Sequence, residues 1–264
     1  MKKVRLDQRV FELGFTESRE RAKTTVMSGI VFVNGQRADK PGMPVDPDAD
    51  IEVRGVALPF VSRGGFKLDK ALKVFPIDPA GKTCIDCGAS TGGFTDVLLQ
   101  HGAAEVYAVD VGYGQLAWKL RNDERVINLE RTNLRYVTEE QIPELLDIAV
   151  MDVSFISVKL VLPAVQRLLK PDADIVCLIK PQFEAGREEV GKKGVVRDSA
   201  VHKEVIRSVL DFAPGIGLTP VGLDFSPIKG PEGNIEYICH LKNGDFAAPQ
   251  LDVDAVVAAS HEAL

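Results

Sequence analysis

The stretch Cys84-Ile85-Asp86-Cys87-Gly88-Ala89-Ser90-Thr91-Gly92-Gly93-Phe94-Thr95 decides the fold of this 264-residue chain. It reads as a short buried strand, a turn of small residues and the start of a helix. Such a turn lets backbone approach a ligand and aims N–H groups and a helix N-terminus at an anion or polar tail. The spacing Asp-x-Gly-x-x-x-Gly is not the G-x-G-x-x-G of a dinucleotide site. A second strand, 106–109, leads into Asp110, near the offset of roughly 20 residues at which such folds place a ribose-binding carboxylate.

Downstream of Thr83 strands and helices alternate, which predicts an α/β doubly wound sheet. Strands are expected at 83–87, 105–110, 126–129, 148–152 and 175–179, and helices near 93–101, 115–121, 139–145, 158–169 and 200–212. The last two strands, 218–225 and 236–241, have only a loop between them and predict an antiparallel closing hairpin. Upstream, the pattern is helix 6–13, helix 18–27 with Gly29 as a stop, and a hairpin from Val31-Phe32-Val33 through Asn34-Gly35, a small α+β module. The Pro-, Gly- and Asp-rich segment 41–50 and a strand at 51–53 complete it. These signals divide the chain into 1–57, a connector 58–61, a main domain 62–246 opening on a helix at 66–74, and a C-terminal tail or helix 247–264.

Charge is uneven. The chain carries a net −6, yet residues 1–40 hold nine Lys or Arg against five Asp or Glu. Nucleic-acid binding is therefore expected to begin at the N-terminus, through Arg5, Arg9, Arg19, Arg21 and Lys23, with Arg63 adding to it. Apolar content of 45% and a mean hydropathy near zero indicate a globular protein. No apolar run approaches the ~18 residues of a spanning helix, and Met-Lys-Lys-Val-Arg does not begin a signal peptide, so a cytoplasmic protein without a membrane partner is expected. Four cysteines make no disulfide framework, Cys84 and Cys87 form a lone C-x-x-C, and the four histidines lack ligand spacing. They read as packed thiols and as surface or helix-terminal imidazoles, and no metal is expected.

Ligands of open α/β sheets bind beyond the carboxyl ends of the strands. Asp152, in Val150-Met151-Asp152-Val153-Ser154-Phe155, and Lys180, in Cys177-Leu178-Ile179-Lys180-Pro181-Gln182-Phe183, both fall there. Lys67 begins the helix before the sheet, and Glu236 begins the last strand. In the FtsJ-like RNA 2′-O-methyltransferases, whose tetrad these four residues resemble, the implied nucleophile is a ribose 2′-hydroxyl, which ionises far above neutral pH, so its proton must leave as the oxygen attacks. A lysine of pKa about 10.4 accepts that proton only if its surroundings favour the neutral form. Lys180 is thus the expected base or the electrostatic stabiliser of the oxyanion, with Lys67, Asp152 and Glu236 positioning it. Ordinary surface ion pairs are the alternative for Lys67 and Glu236.

Several of these stretches resemble known families. The motif at 84–95 is similar to the first motif of class I S-adenosylmethionine-dependent methyltransferases. That resemblance implies S-adenosyl-L-methionine as cofactor, held by Asp86, Gly88, Ala89, Ser90, Thr91, Gly92, Phe94, Thr95, Asp110 and Val111, with Thr132 and Asn133 toward the adenine. Ser18-Arg19-Glu20-Arg21-Ala22-Lys23 and Gly29-Ile30-Val31-Phe32-Val33-Asn34-Gly35 resemble the S4 RNA-binding fold. Lys67, Asp152, Lys180 and Glu236, in that chain order, resemble the tetrad of FtsJ-like RNA 2′-O-methyltransferases. With Ser62-Arg63-Gly64-Gly65-Phe66-Lys67-Leu68, Asp110-Val111-Gly112-Tyr113-Gly114-Gln115-Leu116-Ala117-Trp118 and Lys180-Pro181-Gln182-Phe183-Glu184, the whole chain resembles the TlyA, or haemolysin A, family.

This resemblance implies 2′-O-methylation of cytidine in ribosomal RNA, of the 23S and also the 16S molecule, within ribosomal subunits. Related proteins use an Arg-x-Trp-Val connector to couple RNA and cofactor binding. Here the aligned residues are Leu58-Pro59-Phe60-Val61, a departure from that pattern. The competing readings are a non-enzymatic RNA-binding or ribosome-assembly factor on a methyltransferase scaffold, and a cytolysin, for which no unexplained amphipathic segment is present. A base N-methyltransferase would carry prolines after Asp152, and a cytosine C5 enzyme would need a nucleophilic cysteine near that loop.

Overall fold

The computed structural model describes residues 3–16, 18–54, 59–191 and 193–264, so Leu58 of the connector lies outside the described residues. The chain forms two compact units, 1–65 and 66–264.

In the first unit, strand β1 (Val4–Arg5) leads into helix α1 (Leu6–Glu12), followed by α2 (Arg19–Met27), β2 (Val31–Val33), β3 (Gln36–Arg37), β4 (Pro44–Val45) and β5 (Ile51–Val53). Ser18 caps α2 by accepting the Arg21 N–H, and Gly29 takes φ +72° just past the helix end, the stop expected from the sequence. Strand β2 pairs with β3 and β5, while β1 pairs with β4, a small ladder that the segment 41–50 concealed. Leu6, Val10, Ala22, Val26, Val31, Val33, Val45 and Ile51 form the core.

The second unit runs α3 (Gly65–Val74, whose first residue lies in the first unit), β6 (Thr83–Cys87), α4 (Gly93–Gln100), β7 (Glu105–Val109), α5 (Trp118–Arg121), β8 (Val126–Leu129) and β9 (Leu146–Met151). It continues with α6 (Leu162–Gln166), β10 (Leu169–Ile179), α7 (Pro181–Glu184), α8 (Ser199–Phe212), β11 (Leu218–Phe225), β12 (Tyr237–Asn243) and α9 (Val253–Ala263). The seven-stranded sheet has the order β11-β12-β10-β9-β6-β7-β8. Pairings among β10, β9, β6, β7 and β8 are parallel, and β12 runs antiparallel to both neighbours, as the closing hairpin predicts. The strand order reverses between β6 and β9, the switch point at which such sheets bind ligands.

Three helices differ from expectation. Residues 139–145 form turns, because Pro143 lacks an N–H for the helical ladder and restricts Ile142 before it. The helix expected at 158–169 is broken into a 3₁₀ turn, Val158–Leu160, and α6, which restarts with Pro163 in its first turn, and β10 takes over at Leu169. Residues 115–117 stay outside α5, their segment drawn into the turn that follows Asp110. Histidines differ too: His202 and His240 are buried, His202 between Tyr237 Oη at 2.7 Å and Val196 O at 3.0 Å, and His240 against Asp174 at 2.8 Å. All four cysteines are free and buried, and burial pushes the Cys84 thiol up to about 12.

Candidate active site

Asp86 is fully buried and works as a cap delivered from the strand: its Oδ2 accepts from Thr95 N–H at 2.9 Å and from Thr95 Oγ1 at 2.7 Å. Helix α4 needs it, since its N-cap is Gly92 at φ +94° with no side chain to offer. Burial, offset by the Thr95 bonds and reinforced by the charges of Asp152 and Asp110, pushes the Asp86 carboxyl up to about 7. Its Oδ1 is buried without a hydrogen-bond partner among the described residues.

Across the switch point, a cleft of about 530 Å³ is lined by Gly88, Ser90, Asp110, Val111, Asn133 and Asp152, among others. Of the residues expected to hold a cofactor, these five besides Asp152 reach it directly. Asp86, Ala89, Gly92, Phe94 and Thr95 are buried and outside its lining, and Thr91 and Thr132 are half-buried and also outside it. Asp110 organises the rim, accepting from Ser90 N–H at 2.8 Å and Gly112 N–H at 2.6 Å. A Cβ on Gly88 would sit 3.0 Å from the Asp152 carbonyl oxygen, so glycine is what lets the two loops approach.

An anion or polar tail is expected at this turn, and four of its N–H groups are already bonded within the protein. The N–H groups of Gly88 and Ala89 donate to Val109 O, that of Ser90 to Asp110 and that of Gly92 to Ala89 O. Three of these donors are spent on the end of the neighbouring strand and one within the turn, while Asp110 and the partly ionised Asp86 place negative charge at this end of the sheet. That charge, the unpartnered Asp86 Oδ1 and the cleft volume suit a cationic nucleoside such as S-adenosylmethionine.

Beside the cleft, the four expected catalytic side chains form one chain of contacts. Lys67 Nζ lies 2.6 Å from Glu236 Oε2 and 3.1 Å from Asp152 Oδ2, and Lys180 Nζ lies 2.5 Å from Asp152 Oδ1. Lys180 also donates to Ser154 Oγ at 2.9 Å. Lys67, Lys180 and Glu236 are each no more than 7% exposed, which excludes the surface ion-pair reading. Burial works against the Lys67 charge, but Asp152 and Glu236 outweigh it and hold its pKa above the ordinary lysine value. Burial likewise works against the Asp152 carboxylate, yet the two lysines bring it below the usual range. Two ammonium groups and two carboxylates balance, the condition for keeping four charges out of water.

Sequence reasoning missed Ser154, Phe155 and Glu184. Phe155 is 91% exposed at the cleft, takes φ +65° and meets the Phe183 ring at 5.2 Å. A phenylalanine in the loop just after a core strand was the available signal.

In the first unit, Arg19 and Lys23 are exposed one turn apart on α2 and share a face, whereas Arg21, two residues from each, is half-buried and points elsewhere. Arg5 grips Asp7 through two bonds of 3.0 and 2.7 Å, and Arg19 lies close enough to act on the same carboxylate. Arg9 pairs with Glu12 at 3.6 Å, and Arg63 is exposed.

The pattern of the FtsJ-like methyltransferase family matches residues 60–243, and that of the S4 domain matches residues 4–51. The chain belongs to the FtsJ-like methyltransferase family. Relatives named TlyA are among the proteins it resembles. The chain is 47% identical to the Mycobacterium tuberculosis 16S/23S rRNA (cytidine-2′-O)-methyltransferase TlyA, over 91% of this chain and 90% of the relative. It is 50% identical to Bacillus subtilis YqxC over its whole length and 96% of the relative. A solved structure from Streptococcus thermophilus that goes under a hemolysin name superposes with a TM-score of 0.79 at 48% identity, covering 100% of this chain and 97% of that one. Among the described residues no helix is long and apolar enough to cross a membrane.

Proposed function

We propose that this FtsJ-like methyltransferase transfers the methyl of S-adenosyl-L-methionine to a cytidine ribose 2′-oxygen of ribosomal RNA within ribosomal subunits. The observation that carries the reading is the chain of contacts Glu236–Lys67–Asp152–Lys180–Ser154, which runs from buried Glu236, Lys67 and Lys180 to half-buried Asp152 and exposed Ser154 at the cleft. The M. tuberculosis relative, named for this reaction on 16S and 23S rRNA, supports the choice of substrate.

When bound, the cofactor supplies an electrophilic methyl on a positively charged sulfur. Gly88, Ser90, Asp110, Val111 and Asn133 hold it in the cleft, and Asp86 adds its unpartnered oxygen behind them. Lys180 meets the ribose hydroxyl: Asp152 and Ser154 account for two of its three donors as an ammonium, and the third faces the substrate oxygen. The oxygen–carbon bond would form as the methyl–sulfur bond of the donor breaks, sulfur keeping the electron pair as a neutral thioether, and the O–H proton passes to Lys180 when that amine is neutral. An ammonium there instead stabilises the oxyanion while water takes the proton. Lys67 and Glu236 fix Asp152, which fixes Lys180. Phe155, edged by Phe183, offers a flat apolar face for the nucleobase.

The S4 domain at the N-terminus supplies RNA contacts through Arg5, Arg9, Arg19, Arg21 and Lys23, with Arg63 beyond it. A monomer is the favoured working unit, and a ribosomal RNA substrate supports a cytoplasmic location.

The test is transfer of labelled methyl from S-adenosylmethionine to undermethylated 30S and 50S subunits, followed by mapping of the labelled nucleotide. Label on a ribose 2′-oxygen of cytidine is the expected result; label on a base, or none on either subunit despite cofactor binding, sinks the reading.

A further inference from the structure

We infer that Glu184 is a positioning residue for methyl transfer, holding the Ser154–Phe155 turn in place against Lys180. The inference rests on the role given to Lys180 above.

The segment 152–158 leaves the end of β9 and is gripped at both ends by residues 180–184. At the near end Lys180 holds Asp152 at 2.5 Å and Ser154 at 2.9 Å. At the far end the Glu184 carboxylate accepts from Ser157 Oγ at 2.6 Å through Oε2 and from Val158 N–H at 2.7 Å through Oε1. Helix α7 begins directly after Lys180 and ends on Glu184, so one short piece of chain carries both grips. A four-residue helix has no stability of its own. Its place, and that of the turn facing it, come from these anchors.

Between the grips lies Phe155 at φ +65°, a conformation that costs a bulky side chain about 1–3 kcal/mol and persists only where the surroundings over-determine it. Phe155 is almost wholly exposed, so burial does not hold it there. The two grips do. Glu184 is half-buried, and the Ser157 and Val158 bonds are its only ones among the described residues, with no ion pair to add to them. Both its oxygens are spent on the turn, and neither is spent on the helix that carries it.

The experiment uses the full chain with Glu184→Ala, Glu184→Gln and Ser157→Ala, reading kcat and KM on ribosomal subunits, cofactor affinity, and hydrogen exchange at the Val158 amide. Glu184→Ala should lower kcat about 30-fold, the scale of a misplaced reacting group, with cofactor affinity within twofold and faster Val158 exchange. Glutamine keeps the Val158 bond through its amide oxygen and gives its NH₂ to Ser157, so Glu184→Gln should recover most of the rate. The double variant Ser157→Ala/Glu184→Ala should be no slower than Glu184→Ala.

A kcat for Glu184→Ala within threefold of wild type overturns the inference. So do equal losses in Glu184→Ala and Glu184→Gln, or a parallel loss of cofactor affinity. Should Glu184→Ala fail to fold, Glu184→Gln faster than Ser157→Ala supports the inference and the reverse order overturns it. Absence of any methyl transfer by wild type is a failure of the proposed function instead, and Val158 exchange still decides whether the clamp exists.

Discussion

The charged residues of the two units live under different physics. In the first unit Arg19, Lys23 and Arg63 stand in water, while Arg5 holds Asp7 of the helix that follows it and Arg9 holds Glu12 of its own helix. In the second, Lys67, Lys180, Asp152 and Glu236 come from four distant points of the chain and solvate one another out of water. An exposed pair is worth about 0–1 kcal/mol, whereas an orphaned member of a buried network costs 3–5 kcal/mol. Burial therefore turns charge into an obligation to fixed partners. Exposure leaves it available for a polyanion.

The sharpest test of that contrast is Lys180→Met. Removing the group that meets the 2′-oxygen should cut kcat by about 10²–10⁴, with cofactor affinity within threefold, because Lys180 is outside the cleft lining. Turnover near wild type would break the assignment. Next comes Glu236→Gln, which leaves Lys67 short of one carboxylate and should destabilise the fold by about 3–5 kcal/mol in urea titration. The double variant Lys67→Met/Glu236→Gln, which removes both charges, should be less destabilised than the sum of the singles. Additive losses would show the pair to be uncoupled.

Legibility in the sequence follows the same line. Buried strands and their turn announced themselves, since 83–87, 126–129 and 218–225 coincide with the observed strands, and the strand-end rule points to Asp152 and Lys180, which lie in contact. What could not be read was competition between local and tertiary preference. The apolar run after Ser157 scans as one helix, but Pro163 and the edge of β10 divide it. His202 and His240 lack any spacing signal because their partners, Tyr237, Val196 and Asp174, are contributed by other elements. Glu184 was quoted within a motif without a role, for its partners Ser157 and Val158 lie more than twenty residues upstream on another loop. The glycine turn was found, but the fate of its N–H groups was not, because Val109 O and Asp110 come from the neighbouring strand.

Asp86 gives a pH-dependent version of the comparison. Its carboxyl is raised to about 7 in the fold and stands near 3.9 in the unfolded chain, so from pH 4 to 7 the folded state keeps a proton the unfolded state has lost. Stability from this group is therefore full below pH 4 and declines by about 1.4 kcal/mol per pH unit until pH 7, then stays level. The paired Asp7, Asp147 and Asp174, all held below their usual range, push the other way, so the measurement is a difference. Asp86→Asn should lose to wild type at pH 4.5 and gain on it steadily up to pH 7.5 in thermal melts. A constant difference across that range would mean that Asp86 is ionised throughout.

The smallest effect belongs to the exposed side. Arg19→Ala/Lys23→Ala removes two exposed cations of one α2 face, of which Arg19 acts on the Asp7 carboxylate only through space, so the melting temperature should stay within the ±0.5 kcal/mol scale of surface changes. If these residues neutralise phosphates, affinity for ribosomal subunits should fall about tenfold at moderate salt, and the slope of log K against log salt should become shallower by about two. Cofactor affinity should not move, because every residue lining the cleft belongs to the other unit. Arg21→Ala is the control within the same helix: half-buried and off that face, it should change the slope less than either neighbour. An Arg21 effect equal to that of Arg19 would mean that net charge, rather than one face of α2, is what the RNA reads.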